Sequence, residues 1–121
     1  MKVLLVDDEP FILQGLSVLI DWAAEGCEIV KMASNGKEAL LYLEDHEADL
    51  VITDIKMPVM SGLELLEQIR GRQISDAFFI ILSGYNDFSY AQKAIRYACM
   101  DYLVKPVQKE ALLELIRKAK S

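Results

Sequence analysis

Five polar residues, far apart in the chain, each fall where an apolar run ends. Asp7 and Asp8 follow Val3-Leu4-Leu5-Val6, and Asp54 follows Leu50-Val51-Ile52-Thr53. Ser83 ends the run Phe78-Phe79-Ile80-Ile81-Leu82, and Lys105 follows Tyr102-Leu103-Val104. Runs of this length and composition read as buried strands. In an open parallel sheet, ligands bind in the crevice outside the carboxyl ends of the strands. Three carboxylates, one hydroxyl and one ammonium are therefore expected around one crevice. Two carboxylates ~5 Å apart repel by about 3 kcal/mol at an effective dielectric near 20, so the cluster calls for a counterion. A hard divalent cation with oxygen ligands and retained waters meets that need, and Mg²⁺ fits best. A carboxylate beside such an ion can accept a phosphoryl group as an acyl phosphate. A hydroxyl and an ammonium can each hold a phosphoryl oxygen. Asp54 is the best acceptor by position, with Asp7 and Asp8 on the neighbouring strand.

Taken singly, each feature has a plainer explanation. Asp7-Asp8-Glu9 can be an acidic loop leading into a helix with Pro10 in its first turn. Asp54 can begin a turn, and Lys105 can be a loop lysine before Pro106, whose peptide can be cis. Their joint occurrence at the ends of four strands is what points to chemistry. Zinc is not expected, because the single histidine, His46, reads as a solvated helix end in Glu44-Asp45-His46-Glu47.

The elements that position these residues alternate along the chain. Strands read at about 2–6, 27–33, 48–53, 77–82 and 100–104. All but the second are nearly continuous apolar runs, as for strands covered on both faces. Helical periodicity covers about 10–24, 35–46, 61–71, 86–97 and 108–119. In the first helix Phe11, Ile12, Leu16, Leu19 and Ile20 form the expected apolar stripe. In the second, Ala39, Leu40 and Leu43 point inward, and in the last Leu112, Leu113, Leu115 and Ile116 do. Five βα units predict an α/β fold, a flavodoxin-like doubly wound parallel sheet of order 2-1-3-4-5, over a single domain, 1–121.

Composition narrows the function. The chain has 121 residues, 53% of them hydrophobic, which is enough for a core without staples. A net charge of −6 argues against direct binding to duplex DNA, which needs a basic stripe. Cys27 and Cys99 fit no metal or redox spacing and read as small buried hydrophobes. Met1-Lys2 leads straight into a strand, so a signal peptide is not expected, and no apolar stretch approaches the ~20 residues of a membrane helix. A reducing cytoplasm is the expected location.

The motifs Leu4-Leu5-Val6-Asp7-Asp8-Glu9, Thr53-Asp54-Ile55-Lys56-Met57-Pro58 with Gly62, Ser83-Gly84 and Asp101-Tyr102-Leu103-Val104-Lys105-Pro106 resemble the receiver domain of two-component response regulators. The resemblance covers essentially the whole chain. It implies that Asp54 is the phosphoacceptor, taking a phosphoryl group from a sensor histidine kinase. It implies Mg²⁺ held by Asp7, Asp8, Asp54 and the main-chain carbonyl of Lys56, with Asp8 a direct ligand. It implies that Lys105 holds a phosphoryl oxygen, and that Ser83 and Tyr102 are a switch pair. Such a domain is not a turnover enzyme; it catalyses only its own phosphorylation and dephosphorylation. Output would be read through the face made by the helices over 86–97 and 108–119 and the strand over 100–104, including a homodimer through that face.

The stretch from Ile81 to Ala91, with Tyr85, Phe88 and Tyr90, is similar to receivers joined to AraC-type helix-turn-helix domains. DNA would then be bound only by that separate output domain, which this chain does not include. The alternative is a free-standing receiver acting by protein–protein contact. Ser61 and Ala98 depart from the residues common in the family at those places, and neither belongs to the phosphorylation set. An aspartyl phosphohydrolase of the haloacid-dehalogenase type would need a second Asp where Lys56 stands. A flavin-phosphate site would be repelled by Asp7-Asp8-Glu9.

Overall fold

The computed structural model describes residues 1–84, 92 and 101–120. Five strands, β1 (Lys2–Val6), β2 (Glu28–Ala33), β3 (Leu50–Asp54), β4 (Phe78–Ser83) and β5 (Asp101–Val104), form one sheet. All neighbours pair in parallel, in the order β2-β1-β3-β4-β5. This is the flavodoxin-like order that five βα units predict. Among the described residues there are four α-helices: α1 (Pro10–Leu19), α2 (Gly36–Asp45), α3 (Gly62–Gly71) and α4 (Lys109–Lys120). Apart from Gln92, the helix expected over 86–97 lies outside the described residues, as do Tyr85, Phe88, Tyr90, Ala98 and Cys99.

Strand alternation divides the core in two. Leu4 and Val6 of β1, Val51 of β3 and Phe79 and Ile81 of β4 pack with Ala39, Leu40, Leu65 and Ile69 of α2 and α3. Val3, Leu5, Leu50, Ile52, Ile80 and Leu82 pack with Leu16 of α1 and with Leu112, Leu115 and Ile116 of α4. The central strands β1 and β3 are thus covered on both faces, and each fully buried Leu or Ile contributes roughly 1.5–3 kcal/mol. That burial anchors the strand ends where Asp7 and Asp54 emerge.

Three expectations are corrected. The first helix stops at Leu19, not at 24, and Ile20 turns to an extended conformation. The Trp22 indole donates to the Leu16 carbonyl at 3.0 Å, an acceptor that a continuing helix would have used. A 3-10 turn, Ala23–Glu25, then ends at Gly26 with φ 73°, before β2. Phe11 is 85% exposed, although the helical stripe in the sequence includes it. Phe11, Gly15 and Val18 also recur at helical period, and that second stripe faces outward, Val18 being 76% exposed. Finally, β5 reads as covered on both faces, but only its Leu103 is buried, because β5 edges the sheet among the described strands. The remaining ends agree closely: Asn35 caps α2, Ser61 caps α3 in a reciprocal capping box with Glu64, and exposed His46 closes α2.

Candidate acidic phosphoryl-transfer site

Parallel register brings the strand ends to one edge. Val6 aligns with Thr53, Asp54 with Leu82, and Ser83 with Val104. Asp7 therefore leaves β1 beside the end of β3, and Lys105 leaves β5 beside the end of β4. The Lys105 amide donates to the Ser83 carbonyl at 2.8 Å, and the Asp7 amide donates to the Ala33 carbonyl at 3.1 Å.

The charged groups meet in one constellation. Lys105 Nζ lies 3.2 Å from Asp7 Oδ2 and 3.1 Å from Asp54 Oδ2. The other oxygen of each acid accepts from the backbone. Asp7 Oδ1 takes the Glu9 amide at 2.9 Å, and Asp54 Oδ1 takes the Ile55 amide at 2.8 Å. Asp7 and Asp54 are buried and Asp8 is exposed. Carboxylate oxygens of Asp7, Asp8 and Asp54 all lie within 4.8 Å of one another. Burial pushes the Asp54 carboxyl up from its ordinary value, against the lowering influence of Lys105. Burial likewise raises Asp7, outweighing the Glu9 amide and Lys105, and Asp54 adds like-charge repulsion. Desolvation opposes the charge on Lys105, but the two facing carboxylates prevail and raise its pKa.

The donor set is oxygen alone, with two buried acids and one that reaches water. That chemistry fits a hard cation retaining part of its hydration, and does not fit a soft one. Lys56 lies two residues beyond Asp54, exposed, in the loop between β3 and α3. That loop is closed by the Gly62 amide donating to Ile55 O at 2.8 Å. A Cβ on Gly62 would stand 1.9 Å from the Asp54 carbonyl oxygen, so no other residue fits there without moving the strand end. Thr53, unremarked in the sequence pattern, is buried and donates its hydroxyl to that same carbonyl at 3.0 Å. Ser83 is buried at the end of β4. Tyr102 is half-buried and packs against the core on the α2–α3 side. Cys27 is buried, as its type led one to expect.

The chain matches the family described as the response regulator receiver domain over residues 3–117, and it belongs to that family. It is 42% identical over 115 residues to the transcriptional regulatory protein HptR of Staphylococcus aureus (strain N315), covering 95% of this chain and 44% of that protein. It is 39% identical over 112 residues to the uncharacterized transcriptional regulatory protein YesN of Bacillus subtilis (strain 168), covering 93% and 30%. The chain therefore spans less than half the length of these curated relatives. Among solved structures it superposes on the receiver domain of AraT, a response regulator from Geobacillus stearothermophilus. The TM-score is 0.90 and the identity 40%, with 98% of this chain and 92% of that one covered. A two-component transcriptional regulator AraC from Clostridium phytofermentans ISDg matches with a TM-score of 0.88 and 29% identity, covering 99% and 92%. Among the described residues no helix is long and apolar enough to cross a membrane.

Proposed function

We propose that this receiver domain is a Mg²⁺-dependent phosphoacceptor switch whose acceptor is Asp54. The observation that carries it is the placement of Asp54 against Lys105 and within 4.8 Å of the acids Asp7 and Asp8. Asp7, Asp8, Asp54 and the Lys56 carbonyl would hold Mg²⁺, which would supply charge neutralisation for the transfer. A carboxylate oxygen of Asp54 forms the bond to phosphorus as the bond from phosphorus to the imidazole nitrogen of a phosphohistidine breaks. The imidazole leaves and takes a proton, and Asp54 carries an acyl phosphate. Lys105 donates to a phosphoryl oxygen. Ser83, joined to Lys105 through the backbone, contributes its hydroxyl, and Tyr102 responds as the second member of the switch.

The donor is a sensor histidine kinase, and the location is cytoplasmic. Residues 1–121 form a single domain that modifies only itself. The transcriptional regulators among its relatives support an output through transcription; the proposed route is an AraC-type DNA-binding domain and a homodimer through the face made by the helix expected over 86–97, β5 and α4. Intact mass after incubation with a small phosphodonor and Mg²⁺ tests the assignment. Wild type gains one phosphoryl group and Asp54→Ala gains none. Equal labelling of the variant overturns it.

A further inference from the structure

We propose that Gly36, the first residue of α2, is a positioning residue for the cation site, through its grip on the loop that carries Lys56. The inference rests on the proposed binding of Mg²⁺ by Asp7, Asp8 and Asp54. The first amides of a helix have no partner inside it. Asn35 Oδ1 satisfies the Glu38 amide at 2.8 Å. The Gly36 amide instead crosses to the β3–α3 loop and donates to Met60 O at 2.9 Å. The approach is too close for any side chain. A Cβ on Gly36 would stand 2.6 Å from Met60 O and 2.9 Å from both Ser61 O and Met60 Cγ. Two of these are backbone atoms, which no rotamer change can move.

Nor can the loop retreat freely. Its neck is fixed by the bond from Gly62 to Ile55, and Gly62 itself is pressed against the Asp54 carbonyl. Three residues before Gly36, the Ala33 carbonyl accepts the Asp7 amide. The turn from Ala33 to Gly36 therefore holds both halves of the acid cluster, Asp7 after β1 and the loop that follows Asp54 after β3. Mg²⁺ demands near-ideal octahedral geometry at short ligand distances. A displacement of a few tenths of an ångström in this loop would be felt as affinity.

The test is calorimetric titration of Mg²⁺ into the full chain, as wild type, Gly36→Ala and Gly71→Ala. A Cβ on Gly71 meets nothing within 4 Å, so that variant is the control for adding a methyl group. Gly36→Ala should weaken Mg²⁺ binding about 10–100-fold, the usual loss when an outer partner of a metal site is disturbed. Gly71→Ala should bind as wild type does. A folded Gly36→Ala with wild-type affinity overturns the proposal. Should that variant fail to fold, amide exchange in the wild type decides. Coupling is reciprocal, so Mg²⁺ must slow exchange at Gly36 more than at Leu40 inside α2. Equal slowing at both overturns the clamp. A wild type that takes up no Mg²⁺ overturns the cation site itself, and the clamp with it.

Discussion

Lys105 Nζ bridges Asp7 and Asp54, 3.2 Å from one carboxylate and 3.1 Å from the other. Two acids from separate strands thus share one cation from a third. The arrangement is incomplete as a neutralised site. Asp8 adds a further carboxylate within 4.8 Å, and burial still holds both Asp7 and Asp54 above the ordinary carboxylate pKa.

The first expectation follows from the sign of that shift. A carboxyl whose folded pKa lies above its unfolded value of 3.8 supports the fold below that value. It loses that support as pH rises through the folded pKa, because between the two values the folded state holds more protons than the unfolded one. Without divalent cations, Asp54→Asn should therefore be more stable than wild type at pH 7. The gain should shrink as pH falls toward 3.8. Urea midpoints in chelator across that range measure it. A variant less stable than wild type at every pH would show that the Lys105 pair outweighs burial.

Divalent cation should reverse the penalty. Anything that binds only the folded state stabilises it, by about 2.7 kcal/mol at 100 times its dissociation constant. Wild type should gain that amount from Mg²⁺ in urea unfolding. Asp8→Ala should lose most of the response. Asp8 is exposed, so its removal leaves no cavity to confuse the reading. An Asp8→Ala protein with the full Mg²⁺ gain removes Asp8 from the ligand set.

The sheet order and the acid cluster were legible in the sequence for one reason. Short continuous apolar runs such as Leu50–Thr53, alternating with stretches of helical period, read as strands buried on both faces, and strand ends in such a sheet converge. What stayed hidden depended on tertiary contacts. The early end of α1 is set by a bond between Trp22 and the Leu16 carbonyl, which no periodicity encodes. Phe11 and Ile12 are adjacent on two overlapping apolar stripes, and only packing decides which stripe faces inward. Spacing likewise gathers Asp7, Asp54 and Lys105 at one edge without revealing that the lysine bridges both acids. Gly36 reads as the plain start of a helix, because Met60 is remote from it in the chain.

Val59, in the loop after Asp54, has φ 70° and is 79% exposed. A β-branched residue in the left-handed region is strained, by about 1–3 kcal/mol. Val59→Gly should relieve that strain. It also frees the unfolded chain, which offsets about 0.4–1 kcal/mol. The net expectation is a gain of about 1 kcal/mol in urea unfolding. A loss of stability would mean that the exposed valine makes contacts outweighing its backbone strain.

Lys105 also bears on cation binding. Its ammonium occupies the oxygens that a divalent cation would share, so it competes with that cation even while it prepares the site for a phosphoryl group. At roughly 5 Å, an ammonium repels a divalent ion by about 1.7 kcal/mol even with water-like screening, worth more than tenfold in affinity. Lys105→Gln should therefore bind Mg²⁺ at least about tenfold more tightly in calorimetric titration. The same variant should label more slowly with a small phosphodonor, because a phosphoryl oxygen loses its charged donor. The two effects have opposite signs, which separates this role from general damage to the fold. Weaker Mg²⁺ binding together with slower labelling would mean that Lys105 chiefly holds Asp7 and Asp54 in place.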